Sequence, residues 1–105
     1  MAGMYCLDDL LKLVESEHAE ELRLEPGRSP EMTVDGRNRL LDLPPITGYE
    51  VAGLFRTFAS HEHLEELNRC GDVHFNFSFP GAARFKVSAS LKGQDVSLKL
   101  RPLSN

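Results

Sequence analysis

Four cations recur at alternate positions in two neighbouring amphipathic segments: Arg84 and Lys86, then Lys99 and Arg101. Successive side chains of a strand point to opposite faces, so two such strands place all four on one sheet face, away from the apolar residues between them. Basic groups on a rigid strand suit charge-assisted contacts to carboxylate or phosphate. There an arginine can grip two oxygens, while a lysine acts as a point charge. The plain alternative is a solvated face that keeps the sheet soluble. The functional reading makes Arg84, Lys86, Lys99 and Arg101 a partner-binding surface.

The other reactive types form weaker patterns. His61, His63 and His74, with Cys70, invite a comparison with zinc sites. On a helix, however, the i, i+2 spacing of His61 and His63 sends them to different sides, unlike the i, i+4 pair of a metal-binding helix. Surface histidines are expected, with no metal. Cys70 precedes Gly71 at an expected helix end, where the dipole is negative, the wrong place for a thiolate nucleophile. Cys6 and Cys70 lack the density of a disulfide scaffold and are expected as free, partly buried thiols. Asp35, Gly36 and Asp72 read as turn and cap residues. Glycines 27, 36, 81 and 93 stand singly in turns, so no glycine-rich phosphate cradle is seen and no cofactor is called for.

These residues need elements to hold them. Leu7, Leu10, Leu11 and Val14 trace one face of a helix over 7–17, with Asp8 and Asp9 at its positive end. Leu22 and Leu24 alternate with charged neighbours in a first strand that Pro26-Gly27 ends. Met32 and Val34 mark a second strand. Asp35-Gly36 then supplies hairpin chemistry leading into a short third strand near 37–41. Beyond Pro44-Pro45, Thr47-Gly48-Tyr49-Glu50 fits a capping box, and Val51, Leu54, Phe55 and Phe58 give the helix an apolar face. Ser60 caps a second helix with Leu64 and Leu67 inward, and Gly71 ends it.

The last third is the most regular. Val73, Phe75, Phe77 and Phe79 alternate with polar residues up to Pro80-Gly81. Phe85, Val87, Ala89 and Leu91 then lead to Lys92-Gly93, and Val96, Leu98 and Leu100 follow. The pattern is an antiparallel meander with one oily face and one polar face. The fold class is therefore α+β, in the order α-β-β-β-α-α-β-β-β, with about three helices on a six-stranded, mostly antiparallel sheet.

With 105 residues, 1–105 reads as a single domain with one modest core and no repeat, linker or low-complexity segment. No apolar run approaches the ~18 residues of a membrane span, and the N-terminus has no secretory pattern, so a cytoplasmic location is expected. The net charge of −4 argues against nucleic-acid binding. It conceals an asymmetry: residues 1–70 carry fourteen acidic and seven basic side chains, residues 71–105 two and five. The basic end could meet an acidic partner.

The ordered motifs resemble the N-terminal, PAS-like domain of PilT-type type IV pilus retraction and secretion ATPases. That family's pattern runs A-S-D-L-H-L, a proline turn, R-V-D-G and a T-x-x-E helix start. It continues with G-x-x-D-F-S-F, P-G-x-x-R-F-R-V-N and a closing R-x-I-P. The corresponding stretches here are Ala19–Leu24, Ser29-Pro30, Thr33–Gly36 and Thr47–Glu50, then Gly71–Phe79, Pro80–Ser88 and Arg101-Pro102. No single motif is specific, but their order and spacing cover nearly the whole chain. The sequence departs from the pattern at Glu21 and Arg23, where the family has Asp and His, and at Lys86, where it has Arg. Ser90-Leu91-Lys92-Gly93 replaces an arginine-rich F-R-Q-R-G.

The resemblance implies a PAS-like fold seated on the ATPase domain of a neighbouring subunit in a ring, with basic side chains of its last strands near the nucleotide. Arg84 and Lys86 occupy the matching R-F-R positions. The sequence contains no G-x-x-x-x-G-K-[ST] phosphate loop, so no ATP hydrolysis, and no enzyme, is expected of it. The leading expectation is a non-catalytic interaction or regulatory module that docks on a pilus or secretion ATPase ring, its partner an ATPase subunit. An alternative is the N-terminal piece of a complete PilT-like ATPase, passing on ATP-driven motion in twitching motility. A third is a PAS-like small-molecule sensor, ranked low because the large inward phenylalanines should fill a core of this size.

Overall fold

The computed structural model describes residues 6–79 and 84–103. The expected Pro80-Gly81 turn lies outside them. The described elements are α1 (Leu7–Ser16), β1 (Glu21–Leu24), β2 (Glu31–Val34), β3 (Arg37–Leu40), α2 (Gly48–Arg56), α3 (His61–Cys70), β4 (Asp72–Ser78), β5 (Arg84–Lys92) and β6 (Asp95–Pro102). This is the expected α+β order, and every strand pairing is antiparallel.

Local chemistry explains most boundaries. Asp35 and Gly36 take positive φ of 52° and 76° between β2 and β3, the backbone that a tight two-residue hairpin turn requires. Both residues of the Thr47 capping box act: the Thr47 hydroxyl accepts from Glu50 N–H at 3.1 Å, and Glu50 Oε1 accepts from Thr47 N–H at 3.0 Å. At α3 the reciprocal partner of Ser60 is His63, whose Nδ1 accepts from Ser60 N–H at 3.2 Å. Gly71, at φ 86°, ends that helix.

The end of α1 is less expected. His18 takes the left-handed conformation, at φ 54°. Its N–H bonds to Glu15 C=O at 3.3 Å, and Ala19 N–H bonds to Val14 C=O at 2.9 Å. This is a Schellman closure, with histidine where glycine is usual. Ala19 and Val14, which it brings together, are both buried.

The six strands form one sheet in the order β3-β2-β1-β6-β5-β4. The first three strands and the last three are separate runs in the sequence, and the sheet is joined where β1 lies beside β6, Leu22 opposite Leu100 and Leu24 opposite Leu98. Leu22, Leu24, Met32, Val87, Leu98 and Leu100 point into a core shared with Leu10, Leu11 and Val14 of α1 and Val51 and Phe55 of α2. The phenylalanines are graded in depth. Phe55 and Phe85 are fully enclosed and Phe79 is buried, whereas Phe75 and Phe77 near the β4 edge are half-buried. Their rings meet edge-on or tilted: Phe79–Phe85 at 5.7 Å, Phe58–Phe79 at 5.1 Å and Phe58–Phe77 at 5.5 Å.

Two expectations need correction. Both cysteines are exposed, not partly buried. Cys6 precedes α1 outside its apolar stripe, and Cys70 ends α3, which rests on the edge strand β4 and its neighbour β5 and buries only Leu67. Asp72 is the first residue of β4, paired with Ser90, rather than a turn residue.

Candidate functional site

The helices bury their apolar stripes against one face of the sheet, and the opposite face is polar. Cross-strand register determines who meets whom on that face. Lys86 stands opposite Arg101 and also opposite Asn76, and Arg84 stands opposite Ser78 at the margin. Lys99 pairs with Ser88 on one side and Arg23 on the other. All four cations singled out in the sequence thus share the face, and all four are exposed. Arg84 and Lys86 have no ion pair among the described residues, and neither does Lys99. Arg101 is only loosely held, with Nε 3.9 Å from Glu21 Oε1.

The centre of the face is organised by Arg23, a residue given no role by the sequence pattern. Its Nε and terminal nitrogen both donate to Glu21 Oε2, at 3.1 and 2.9 Å, and its other nitrogen lies 3.6 Å from Glu31 Oε1 on β2. The hydrogen bond that Arg23 donates to Glu21 is the main cause that raises the guanidinium pKa above its ordinary value; partial burial opposes it, and the charges of Glu21, Glu31 and Glu25 add to it. Glu21 and Arg23 are the two positions where the sequence departs from the family's Asp and His, and the structure joins them in one contact.

Beside this cluster is a hollow of about 200 Å³. Ser88, Ser90 and Ser97 line it, with Ser90 directly opposite Ser97 across the β5–β6 ladder. Arg23, Lys99, His74 and Lys92 are among the larger side chains around it. His74 Nδ1 lies 3.0 Å from Ser88 Oγ, and its Nε2 is 3.8 Å from Asp72 Oδ2. Lys92 Nζ lies 3.8 Å from Glu25 Oε2. Ser97 is the one polar residue buried in the described structure, and its Oγ has no hydrogen-bond partner there. This hollow is not legible in the sequence, because Arg23 and Glu25 come from a part of the chain remote from β5 and β6.

The histidines are dispersed. His61 pairs with Glu65 at 2.8 Å, and His63 caps α3 and stacks on Phe75 with ring centres 3.6 Å apart. Among the described residues, no three His, Cys, Asp or Glu side chains gather as metal ligands. No described helix is long and apolar enough to cross a membrane.

No protein-family model matches the chain. It is 30% identical over 83 residues to the type IV pilus retraction ATPase PilT of Pseudomonas aeruginosa, a match covering 79% of this chain and 24% of PilT. The crystal structure of the pilus retraction motor PilT with bound ADP superposes with a TM-score of 0.84 at 27% identity, over 91% of this chain and 28% of that one. The ATPase DotB of Legionella pneumophila gives 0.79 at 20% identity, covering 94% of this chain and 28% of DotB. DotB of Yersinia pseudotuberculosis gives 0.71 at 14%, covering 93% and 29%. The two DotB likenesses speak for the fold alone. The chain spans about a quarter of the length of the relatives it matches, and over that quarter it is a homologue of PilT-type ATPases with the fold of their N-terminal domain.

Proposed function

We propose that this chain is a non-catalytic docking module, and that its polar sheet face seats against the ATPase domain of a PilT-type ring. The observation that supports the reading is the state of Arg84 and Lys86. They are exposed, without ion partners among the described residues, and carried on a strand paired on both sides. The strand holds their backbone in place, and neither cation has to give up an ion pair within the described structure to meet a carboxylate or phosphate, so the cost of binding is confined to ordering the side chains. Arg101, loosely tied to Glu21, and Lys99 extend the same surface.

The test is binding of the purified chain to a PilT ring, followed by light scattering or biolayer interferometry, with the ring's ATP hydrolysis read alongside. The expected result is binding that weakens with added salt, a change in hydrolysis rate, and loss of both in Arg84→Glu/Lys86→Glu with unchanged thermal stability. Binding that is absent, or indifferent to that charge reversal, refutes the docking face.

A second reading, in which the chain acts as the N-terminal part of one longer ATPase and passes on its subunit motion, is favoured by the coverage of only about a quarter of its relatives. A reading frame that continues into a phosphate loop would select it. The same face would then act within one polypeptide ring.

A further inference from the structure

We propose that the free edge of β4 is a docking site for an extended segment of a partner protein, one that carries lysine or arginine at alternate positions and adds to the sheet as a further strand. The ladder shows which backbone groups are on offer. Leu91 N–H donates to Gly71 C=O at 2.8 Å on the β4 side of β5, and Leu103 N–H donates to Arg84 C=O at 2.9 Å on its β6 side. Bonding alternates along an antiparallel pair, so Val73, Phe75 and Phe77 exchange their bonds with β5. The N–H and C=O groups of Asp72, His74, Asn76 and Ser78 point the other way, where the sheet ends. Among the described residues none of these outward groups has a backbone partner.

The two margins of the sheet differ. β3, at the far margin, has four residues, two of them arginines, and short charged strands discourage pairing with another chain. β4 offers seven residues with no lysine, arginine or proline. On its helix side Phe75 and Phe77 are only half-buried. A strand laid along the edge would cover them, adding apolar burial to the backbone bonds.

Charge selects the occupant. α3 leads through Gly71 into β4, and His63 of α3 stacks on Phe75. Glu62 and Glu66 are one turn apart on the flank of α3 that bears His63. Leu64, on the other flank, packs on the core, so the flank with the two glutamates overlooks the free edge. Both glutamates are exposed and without an ion pair among the described residues. Asp72 stands at the start of the same edge and meets only His74, at 3.8 Å. Lys86 and Arg84 lie one strand further in on the polar face, which leaves the helix side as the place for the partner's cations. There a lysine stem can lie along Phe75 while its ammonium reaches Glu62 or Glu66. A second copy of this chain, paired edge to edge, would instead set these glutamates against their own counterparts.

The inference concerns the β4 margin and does not depend on docking of the polar face. The test is amide NMR of the full chain, first alone and then titrated at constant ionic strength with the end-blocked peptide Thr-Val-Thr-Lys-Thr-Lys-Thr. In the chain alone the amides of His74 and Asn76 should exchange with solvent fast, and those of Phe75 and Phe77 slowly. The peptide should shift β4, Glu62 and Glu66 saturably and slow the exchange of His74 and Asn76. N-methylation of the peptide's threonines, whose N–H groups face β4 in antiparallel pairing, should weaken the Kd by about tenfold or more, and N-methylation of its lysines by much less. Glu62→Gln/Glu66→Gln should weaken it about threefold to tenfold, as expected for two exposed charge pairs. Asn76→Pro removes an outward N–H only, so it should abolish binding while the fold is kept; should it fail to fold, the N-methylated peptides decide the same point. Slow exchange of His74 and Asn76 in the chain alone means that the edge is already covered and overturns the proposal. So do equal tolerance of the two N-methylations and equal binding of a peptide with glutamate in place of lysine. β4 shifts that follow the chain's own concentration without peptide put a second copy on the edge, and they overturn it as well.

Discussion

Replacing Phe85 and Phe77 separately by alanine should give very different losses, although the two face each other across the β4–β5 ladder. Phe85 is completely enclosed, against Phe79 at 5.7 Å and beside Val87 in the core. Its removal combines lost transfer energy with a cavity that the surrounding strands cannot close, about 3–5 kcal/mol. Phe77 is only half-buried and lines an open groove with Leu54, Phe58 and Phe79. Its loss forfeits part of the transfer term and leaves no closed cavity, about 1–1.5 kcal/mol. A domain of this size has about 5–15 kcal/mol in total, so Phe85→Ala lies near the limit of folding. Urea denaturation followed by circular dichroism reads both values, with an unchanged slope confirming that the unfolded state is the same. At about 4–8 °C per kcal/mol, Phe77→Ala should lower Tm by about 5–10 °C and Phe85→Ala by at least twice that. Should Phe85→Ala fail to fold, Phe85→Leu keeps the comparison open, with an expected loss of about 1–2 kcal/mol. Equal losses for the two alanine variants would refute the burial gradient across β4 and β5.

Further outcomes follow from the backbone and the polar face. His18→Gly should stabilise the protein by about 0.5–1 kcal/mol in thermal or urea melts, because glycine adopts the left-handed closure of α1 without a side-chain clash. Gly53→Ala, with open space at its Cβ, should stabilise α2 by up to about 1 kcal/mol. Gly48→Ala should gain less, because the new methyl forces the exposed Asp95 carboxylate to swing aside, and adding Asp95→Ala should recover the difference. Arg23→Gln should cost about 1–2 kcal/mol, and a double-mutant cycle with Glu21→Gln should give a coupling near 1 kcal/mol, reduced by salt because the pair is partly exposed. The shift of Arg23 is upward, so, while its glutamate partners are ionised, its contribution is complete below the ordinary arginine range and is lost only as pH rises above it. Stability measured between mildly acidic and mildly alkaline pH should therefore show no transition from Arg23.

Much of the fold was legible because its signals act over a few residues. The Asp35-Gly36 turn, the Thr47–Glu50 box, the Ser60 cap and the Gly71 terminus each depend on backbone geometry within about one turn of chain, which residue type controls directly. Period-two alternation likewise put Arg84, Lys86, Lys99 and Arg101 on one face, since a strand leaves a side chain only two directions. The left-handed His18 escaped notice because nothing in a histidine announces it; the conformation is imposed by Ala19 and Val14 packing into the core.

What the sequence determined, then, was the order of the elements, their caps and which way the four cations face. Tertiary structure decided that β1 lies against β6, a pairing between segments some eighty residues apart for which no local signal exists. That pairing carries Arg23 and Glu25 to the side of Lys99 and Ser97, enclosing the Ser97 hydroxyl and forming the hollow around it. It also grades the phenylalanines by their distance from the sheet margin, because burial is set by what lies on every side of a residue and not by its neighbours along the chain.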